Sequence, residues 1–242
     1  VVIVGGGIHG VGVAQAAAAA GYSTLVVEKQ GLAAGTSCKS SKLIHGGLRY
    51  LESFEFSLVR ESLRERELLL TLAPELIKRK KFFIPIYPET SRRPWWVGVG
   101  LLAYATLAGF SKHTRFHRVP SEAWENLDGL KTKGLQTVYQ YWDAQTDDAA
   151  LTRAVMRSAS ALGAELLCPA MFISAQVDAG GVEVKVASDG QEQEIRAKVL
   201  VNAAGPWAAQ VLAMVVPELQ PLAVDNVAGS HIELSGQIAQ GC

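Results

Sequence analysis

Val1-Val2-Ile3-Val4-Gly5-Gly6-Gly7-Ile8-His9-Gly10 opens the chain, and its reading decides the fold. The first four residues are apolar and β-branched, the composition a parallel strand needs when both its faces are covered. They run straight into G-x-G-x-x-G. An alanine-rich helical stretch follows from Val11 to Ala20, Gly21 stops it, and Ser23 to Val27 reads as a second buried strand ending on Glu28. The unit is β-α-β. In such a unit Gly5 permits the tight turn, Gly7 lets the backbone approach a pyrophosphate, and Gly10 lets the helix pack close on the strand. Ile8 and His9 lie between these glycines on the phosphate side, where unpaired helix N–H groups attract anions. Glu28 comes 18 residues after Gly10, at a strand end where a carboxylate can accept from both hydroxyls of an adenosine ribose and would repel a phosphorylated one. The pattern predicts a site for FAD or NAD rather than NADP. The plainer alternative is a glycine turn of structural use only.

Composition narrows the rest. The 242 residues suffice for one large or two modest domains, and 49% hydrophobic against 19% charged residues excludes disorder and coiled coil. Lys plus Arg and Asp plus Glu are both 23, so no overall field steers a polyanion, and nucleic acid is not expected as a partner. Cys38, Cys168 and Cys242 are few and widely spaced, which fits a reducing compartment better than a disulfide framework and suggests no metal site. A cytoplasmic location follows as the expectation. Because the first residue is not Met and a strand is already under way, further residues or a targeting segment are expected to precede it.

After Glu28 the stretch Lys29 to Lys42 is rich in small and hydroxyl residues, with Gly35, Thr36, Ser37, Ser40 and Ser41 among them and no apolar period. It is a loop suited to wrapping a polyphosphate or ring edge, or else a plain surface loop. Leu43-Ile44-His45-Gly46-Gly47-Leu48-Arg49-Tyr50-Leu51 then sets His, Arg and Tyr around a Gly-Gly pair that permits close approach of something flat or bulky. Any one of these polar residues could instead be a satisfied structural group.

The glycine turn, Glu28, Gly35-Thr36-Ser37 and above all Ser40-Ser41-Lys42-Leu43-Ile44-His45-Gly46-Gly47-Leu48-Arg49-Tyr50-Leu51 closely resemble the FAD-dependent glycerol-3-phosphate dehydrogenases of the D-amino-acid-oxidase-like flavoprotein superfamily. Asn202-Ala203-Ala204-Gly205-Pro206 resembles the second close approach to the cofactor in that family, and Gly229-Ser230-His231 a flavin-facing element. The resemblance implies FAD, bound non-covalently by Gly5, Gly7, Ile8, His9, Gly10, Glu28, Lys29, Thr36, Ser37, Ser41, Lys42, Leu43, Gly46, Gly47, Val177, Ala204, Gly205 and Trp207. It implies oxidation of sn-glycerol 3-phosphate to dihydroxyacetone phosphate by hydride transfer from C2 to the flavin, with quinone as electron acceptor. Arg49 and Tyr50 would bind substrate, Arg49 by a bidentate grip on the phosphate. A base is needed near neutral pH, and of five histidines His231 and His45 lie in flavin-facing elements; His231 is preferred as base, with His45 orienting flavin or substrate. Same-fold alternatives are an amino-acid or sarcosine-type oxidase, and a catalytically silent flavin module. Further partners implied are a membrane surface, on the cytoplasmic face of the inner membrane, and a second copy in a homodimer. The family's chains continue well beyond this one.

Between these motifs, Glu52 to Ala73 reads as one long helix with an apolar stripe of Phe54, Leu58, Leu63, Leu69, Leu70 and Ala73 and a solvated charged face from Arg60 to Glu67. Lys78-Arg79-Lys80-Lys81 leads into a strand to Tyr87 whose Pro85 argues for a sheet edge. Arg92-Arg93-Pro94-Trp95-Trp96 introduces an apolar stretch to Phe110, too short to span a bilayer at roughly 20 residues per crossing; it suits either a helix in the membrane interface or one buried on a sheet. Ser121 caps a short helix to Leu127, Gly134 to Asp143 is an aromatic strand, and Asp147 or Asp148 caps a helix from Ala149 to Leu162. Four strands, Ala164 to Cys168, Phe172 to Val177, Val182 to Ala187 and Gln193 to Arg196, read as a β-meander before a buried strand from Lys198. The fold class is α/β: a Rossmann-like FAD domain with β-meander, residues 1–77 and 144–210, interleaved with an α+β substrate domain, residues 78–143 and 211–242.

Overall fold

A computed structural model describes residues 1–109, 114–127, 129–218, 220, 227 and 229. In chain order these form β1 (Val2–Val4), α1 (Ile8–Ala19), β2 (Leu25–Val27), β3 (Leu43–Ile44), α2 (Phe56–Leu72), β4 (Ile77–Ile86), α3 (Pro94–Leu107), β5 (His117–Arg118), β6 (Thr137–Thr146) and α4 (Asp148–Ala161). There follow β7 (Glu165–Leu167), β8 (Met171–Asp178), β9 (Gly181–Ser188), β10 (Gln191–Ala197), β11 (Leu200–Asn202), α5 (Ala208–Leu212) and β12 (Val215–Val216). By internal contacts one compact unit comprises Val1–Ser41 with the described residues from Asp147 on, and the other Lys42–Thr146. The breaks fall at 41/42 and 146/147 rather than at 77/78 and 143/144. Residues 42–77 group with the second unit because β3 pairs with β6 and α2 packs on β4 and α3.

The first unit is built around a parallel sheet of order β11-β1-β2-β7. Alternation along β1 feeds two cores: Val2 and Val4 enter a cluster with Phe172, Val184 and Val186, while Ile3 packs with Val11, Ala14, Val26, Met156 and Ala159. Strand residues buried on both sides explain the unbroken apolar run. Ala14 and Ala18 are small enough for α1 to lie close to α4, their closest helical neighbour in the unit. Asp147 caps α4 as expected, its Oδ1 accepting from Ala150 N at 2.9 Å. The meander has three strands, β8-β9-β10, not four. Its expected first strand is β7, which pairs parallel with β2 because the chain returns from α4 through Gly163, in the left-handed region, and so completes another helix-to-strand crossover.

The second unit is a sheet of order β3-β6-β4, with β5 also on β6. β4 is an edge strand, where Pro85 costs no ladder bond, and it absorbs the basic run Lys78 to Lys81 that was expected only to precede it. The long helix expected from Glu52 starts instead at Phe56, after a short 3-10 turn (Leu48–Leu51) and Phe54 at φ 59°. Its buried residues are Val59, Leu63 and Arg66, at helical spacing, and Phe54 and Leu58 are left exposed. The expected helix after Ser121 is likewise a 3-10 segment (Ser121–Asn126). α3 buries Leu101, Tyr104 and Ala105 and exposes Trp95, Trp96, Val99 and Leu102. Among the described residues no helix is long and apolar enough to cross a membrane.

Candidate functional site

The glycine turn of the first unit is held tightly from within. Gly5 N donates to Val27 O at 2.9 Å, and at φ 112° a side chain there would also collide with the Ala203 carbonyl. A side chain on Gly10 would drive into the Gly5 carbonyl, so Gly10 is the close-packing glycine. Gly7 differs: a Cβ there would meet only Ser37 Oγ, at 3.1 Å. Helix α1 begins at Ile8, three residues earlier than the sequence suggests, so exposed Ile8 and His9 form its first turn. That turn carries no acidic residue, which leaves the positive end of α1 suited to an anion. Ser37 Oγ accepts from Ile8 N at 2.9 Å and ties the cofactor loop to the helix end.

Glu28 sits at the end of β2, its backbone fixed by Leu167 O and Ala170 N. Its carboxylate accepts from Gly6 N at 2.7 Å, Gln30 N at 2.8 Å and Gly31 N at 3.2 Å. A carboxylate has about four acceptor positions, so about one remains for a ribose hydroxyl rather than two. Beside it, burial and the Glu28 charge push the Cys168 thiol up, making a thiolate there unfavourable.

The loop after Glu28 closes around Trp207. A Cβ on Gly35 would stand 3.0 Å from the Trp207 ring, and Lys29 Nζ lies 5.0 Å from its centroid. Thr36 and Ser37 form a 3-10 turn, Ala204 and Gly205 lead into another (Gly205–Trp207), and Ser40 donates through N and Oγ to Asp148 Oδ2 at 3.2 and 2.8 Å. These positions gather with Glu28 in one unit. Val177 does not join them: it lies near the far end of β8, and at about 3.3 Å per residue it is roughly 20 Å from Ala170, the residue bonded to Glu28. The end of β8 nearest Glu28 carries Met171 and Phe172 instead.

Ser41, exposed, ends the first stretch of the first unit; in the second unit Lys42 takes φ 61° and Leu43 enters β3. The Gly-Gly pair serves neighbours in this chain. A side chain on Gly46 would collide with Leu63 and the Tyr104 hydroxyl, and one on Gly47, at φ 74°, with the Tyr50 ring. Tyr104 Oη accepts from Gly46 N at 2.8 Å and donates to Asp143 Oδ2 at 3.1 Å. Arg66 Nη1 bonds Asp143 Oδ1 at 2.9 Å, and Glu67 joins Arg66 to Arg79. Arg66, Asp143 and Tyr104 are 1%, 3% and 3% exposed, so the charged face expected to be solvated buries its key member. Burial pushes the Asp143 carboxyl up against the pull of Arg66, and it pushes the Tyr104 phenol far above its ordinary range. Burial opposes the Arg66 charge, but Tyr104, Asp143 and Glu67 outweigh it and hold the guanidinium more firmly protonated.

His45 Nδ1 accepts from Gly47 N at 3.1 Å. An accepting imidazole nitrogen carries no proton, so neutral His45 bears its proton on Nε2 and presents a donor there. Arg49 and Tyr50 lie exposed on the adjoining 3-10 turn. His231 lies outside the described residues, as does His113. The sequence reading missed Tyr104, Asp143 and Arg66. The available signal was the spacing Val59, Leu63, Arg66, which places an arginine on the buried face of α2.

A family model described as FAD dependent oxidoreductase matches residues 1–240. The chain is 41% identical over 236 residues to the D-erythritol 1-phosphate dehydrogenase of Brucella abortus (strain 2308), covering 95% of this chain and 46% of that protein. It is 40% identical over 233 residues to the glycerol-3-phosphate dehydrogenase of Pseudomonas tolaasii, covering 96% and 44%. It is similar to the structure of the glycerol-3-phosphate dehydrogenase from Bacillus halodurans complexed with FAD, with TM-score 0.62 and 27% identity over 85% of this chain and 34% of that one. The chain thus spans a little under half the length of these two curated relatives. A glycine cradle, a helix whose first turn carries no acidic residue and a strand-end carboxylate with room for a hydroxyl all fit a dinucleotide, and with the match along nearly the whole sequence the chain belongs to the family of FAD-dependent oxidoreductases, with FAD as its cofactor.

Proposed function

We propose that the intact protein oxidises a phosphorylated polyol at a secondary alcohol, converting glycerol 3-phosphate to dihydroxyacetone phosphate and passing electrons to quinone. The observation that carries this reading is the segment His45 to Tyr50, which sets an exposed Arg49 and Tyr50 on one turn beside an imidazole donor, in a chain about as similar to a glycerol-3-phosphate as to a D-erythritol 1-phosphate dehydrogenase. Both names share a phosphate ester. Bound FAD supplies the two-electron redox chemistry. The chain's own residues do the rest: Arg49 grips the phosphate through two parallel hydrogen bonds, His45 donates from Nε2 to an oxygen of the substrate, and His231 takes the hydroxyl proton. Access to quinone is supported by α3, which exposes Trp95, Trp96, Val99 and Leu102 just after Arg92 and Arg93, the arrangement of a segment resting in a lipid interface.

The similarity to the D-erythritol 1-phosphate dehydrogenase favours a second reading, a four-carbon polyol phosphate. The two separate by kcat/KM of the intact protein on glycerol 3-phosphate, D-erythritol 1-phosphate and an amino acid, each with a quinone analogue and with oxygen alone. Quinone-dependent turnover of glycerol 3-phosphate is expected. A preference of about tenfold or more for D-erythritol 1-phosphate would establish the second reading, and turnover of the amino acid alone would overturn both.

A further inference from the structure

We propose that Tyr104 is a positioning residue for His45, acting through the Gly46–Gly47 turn, with Asp143 and Arg66 holding its hydroxyl in orientation. This rests on the reading that the segment from His45 to Tyr50 serves the substrate.

Gly46 is buried, and its N–H has the Tyr104 oxygen as acceptor. Since that oxygen accepts from Gly46, the phenolic proton must point elsewhere, and Asp143 Oδ2 receives it. The other Asp143 oxygen is taken by Arg66, whose Nη1 also reaches Trp142 O at 3.3 Å, and whose remaining nitrogens meet Glu67. The direction of every bond from Arg66 to Gly46 is therefore fixed. The next amide along, Gly47 N–H, goes to His45 Nδ1. Two consecutive amides are thus committed, one to a buried anchor and one to the imidazole, so the hydroxyl of Tyr104 sets where the His45 ring stands and leaves Nε2–H as its free donor.

Packing alone does not account for the anchor. The Tyr104 ring already fills an apolar cluster with Val59 and Leu63, flanked by Leu48, Leu51 and Leu107, for which phenylalanine would serve. Buried ion pairs contribute little over well-packed apolar residues, and their attested use is to specify one geometry. Here the specified geometry ends on the backbone of the His45 turn.

The test is Tyr104→Phe in the intact protein, which keeps the ring and removes the hydroxyl. Hydrogen exchange in residues 43–51 is expected to quicken by about tenfold or more. A fall in kcat of about 10- to 100-fold is expected with FAD retained, because small displacements near reacting groups are costly. If Tyr104 acts through His45, Tyr104→Phe adds nothing further to His45→Ala in kcat, whereas a merely structural loss adds independently. Leu107→Ala, in the same cluster but without a polar contact to the turn, provides the matched loss of stability and is expected to leave kcat within about twofold. Additive effects, or an equal kcat loss in Leu107→Ala, would overturn the proposal. Exchange of the wild-type Gly46 amide needs no variant: it should be as slow as the buried amides of α3, and exchange as fast as an exposed loop would also overturn it. The exchange arms need no substrate, so absence of turnover with glycerol 3-phosphate would count against the functional reading alone.

Discussion

The Glu28 carboxylate already holds three backbone amides, so removing it acts on the turn as well as on a ribose. Glu28→Ala should weaken FAD by about 1.5 to 3 kcal/mol, the usual cost of a lost hydrogen bond to a charged group, and should also loosen Gly6, Gln30 and Gly31. Flavin fluorescence titration checks the first and hydrogen exchange the second; unchanged FAD affinity would assign Glu28 to the turn alone. Arg49 poses a different question, because it is exposed while its neighbour Glu52 is engaged by Arg92. Arg92 holds the Glu52 carboxyl below the usual carboxylate range, with a smaller contribution from Arg49. The Arg49 guanidinium is thus available for a bidentate grip that Lys cannot reproduce. Arg49→Lys should raise KM for glycerol 3-phosphate by about tenfold or more while leaving glycerol nearly unchanged. Equal effects on both substrates would make Arg49 part of the scaffold.

Two glycines of α1 separate what the helix needs from what the turn needs. Gly10 faces the Gly5 carbonyl, whereas Gly12 has open space around its missing Cβ. Gly12→Ala should therefore stabilise the protein by up to about 1 kcal/mol through helix propensity, and Gly10→Ala should destabilise it and release FAD because α1 must move off the sheet. Thermal melts with and without FAD distinguish them; a neutral Gly10→Ala would refute the close-packing role. The β-α-β unit was legible in the sequence because the burial of β1 on both faces leaves a continuous apolar run and because steric demand at Gly5 and Gly10 admits no other residue. The edge position of β4 was legible from Pro85, and the cap of α4 from Asp147. What did not show was set by contacts distant in sequence. β7 looked like a meander strand because a short run does not reveal its partner, and Arg66 looked solvated because its buried partner Asp143 lies 77 positions on. The side chains that press on Gly46, Leu63 and Tyr104, did not show for the same reason.

The chain has no net charge, yet its two units distribute charge differently, and their response to acid should differ accordingly. In the second unit burial would raise the Glu67 carboxyl, but the hydrogen bond from Arg79 and the charges of Arg66 and Arg79 outweigh it and hold Glu67 below its ordinary value. A depressed carboxylate contributes stability that is present above its unfolded value of 4.5 and is lost as pH falls through the folded value. Asp143 has the opposite sign: burial raises it, so its contribution is present below its unfolded value and declines as pH rises through the folded one. In the first unit the Asp178 carboxyl, hydrogen-bonded by Arg196 and by the backbone of Gly180 and Gly181, is held down to about 2, and its contribution is lost only as pH falls from 3.8 toward that value. The Glu67 contribution to α2 and β4 should therefore start to fall as pH drops below 4.5, and the Asp178 contribution to the hairpin of β8 and β9 only below 3.8. Pulsed hydrogen exchange between pH 5 and pH 2 reads the two windows separately. Glu67→Gln, which keeps an oxygen for Arg79 but cannot ionise, should lower stability at neutral pH and flatten the slope of melting temperature against pH below 4.5, leaving the β8–β9 window where it was. An unchanged slope in Glu67→Gln would show that the ion pairs from Arg79 to Asp143 do not govern the acid response of this unit.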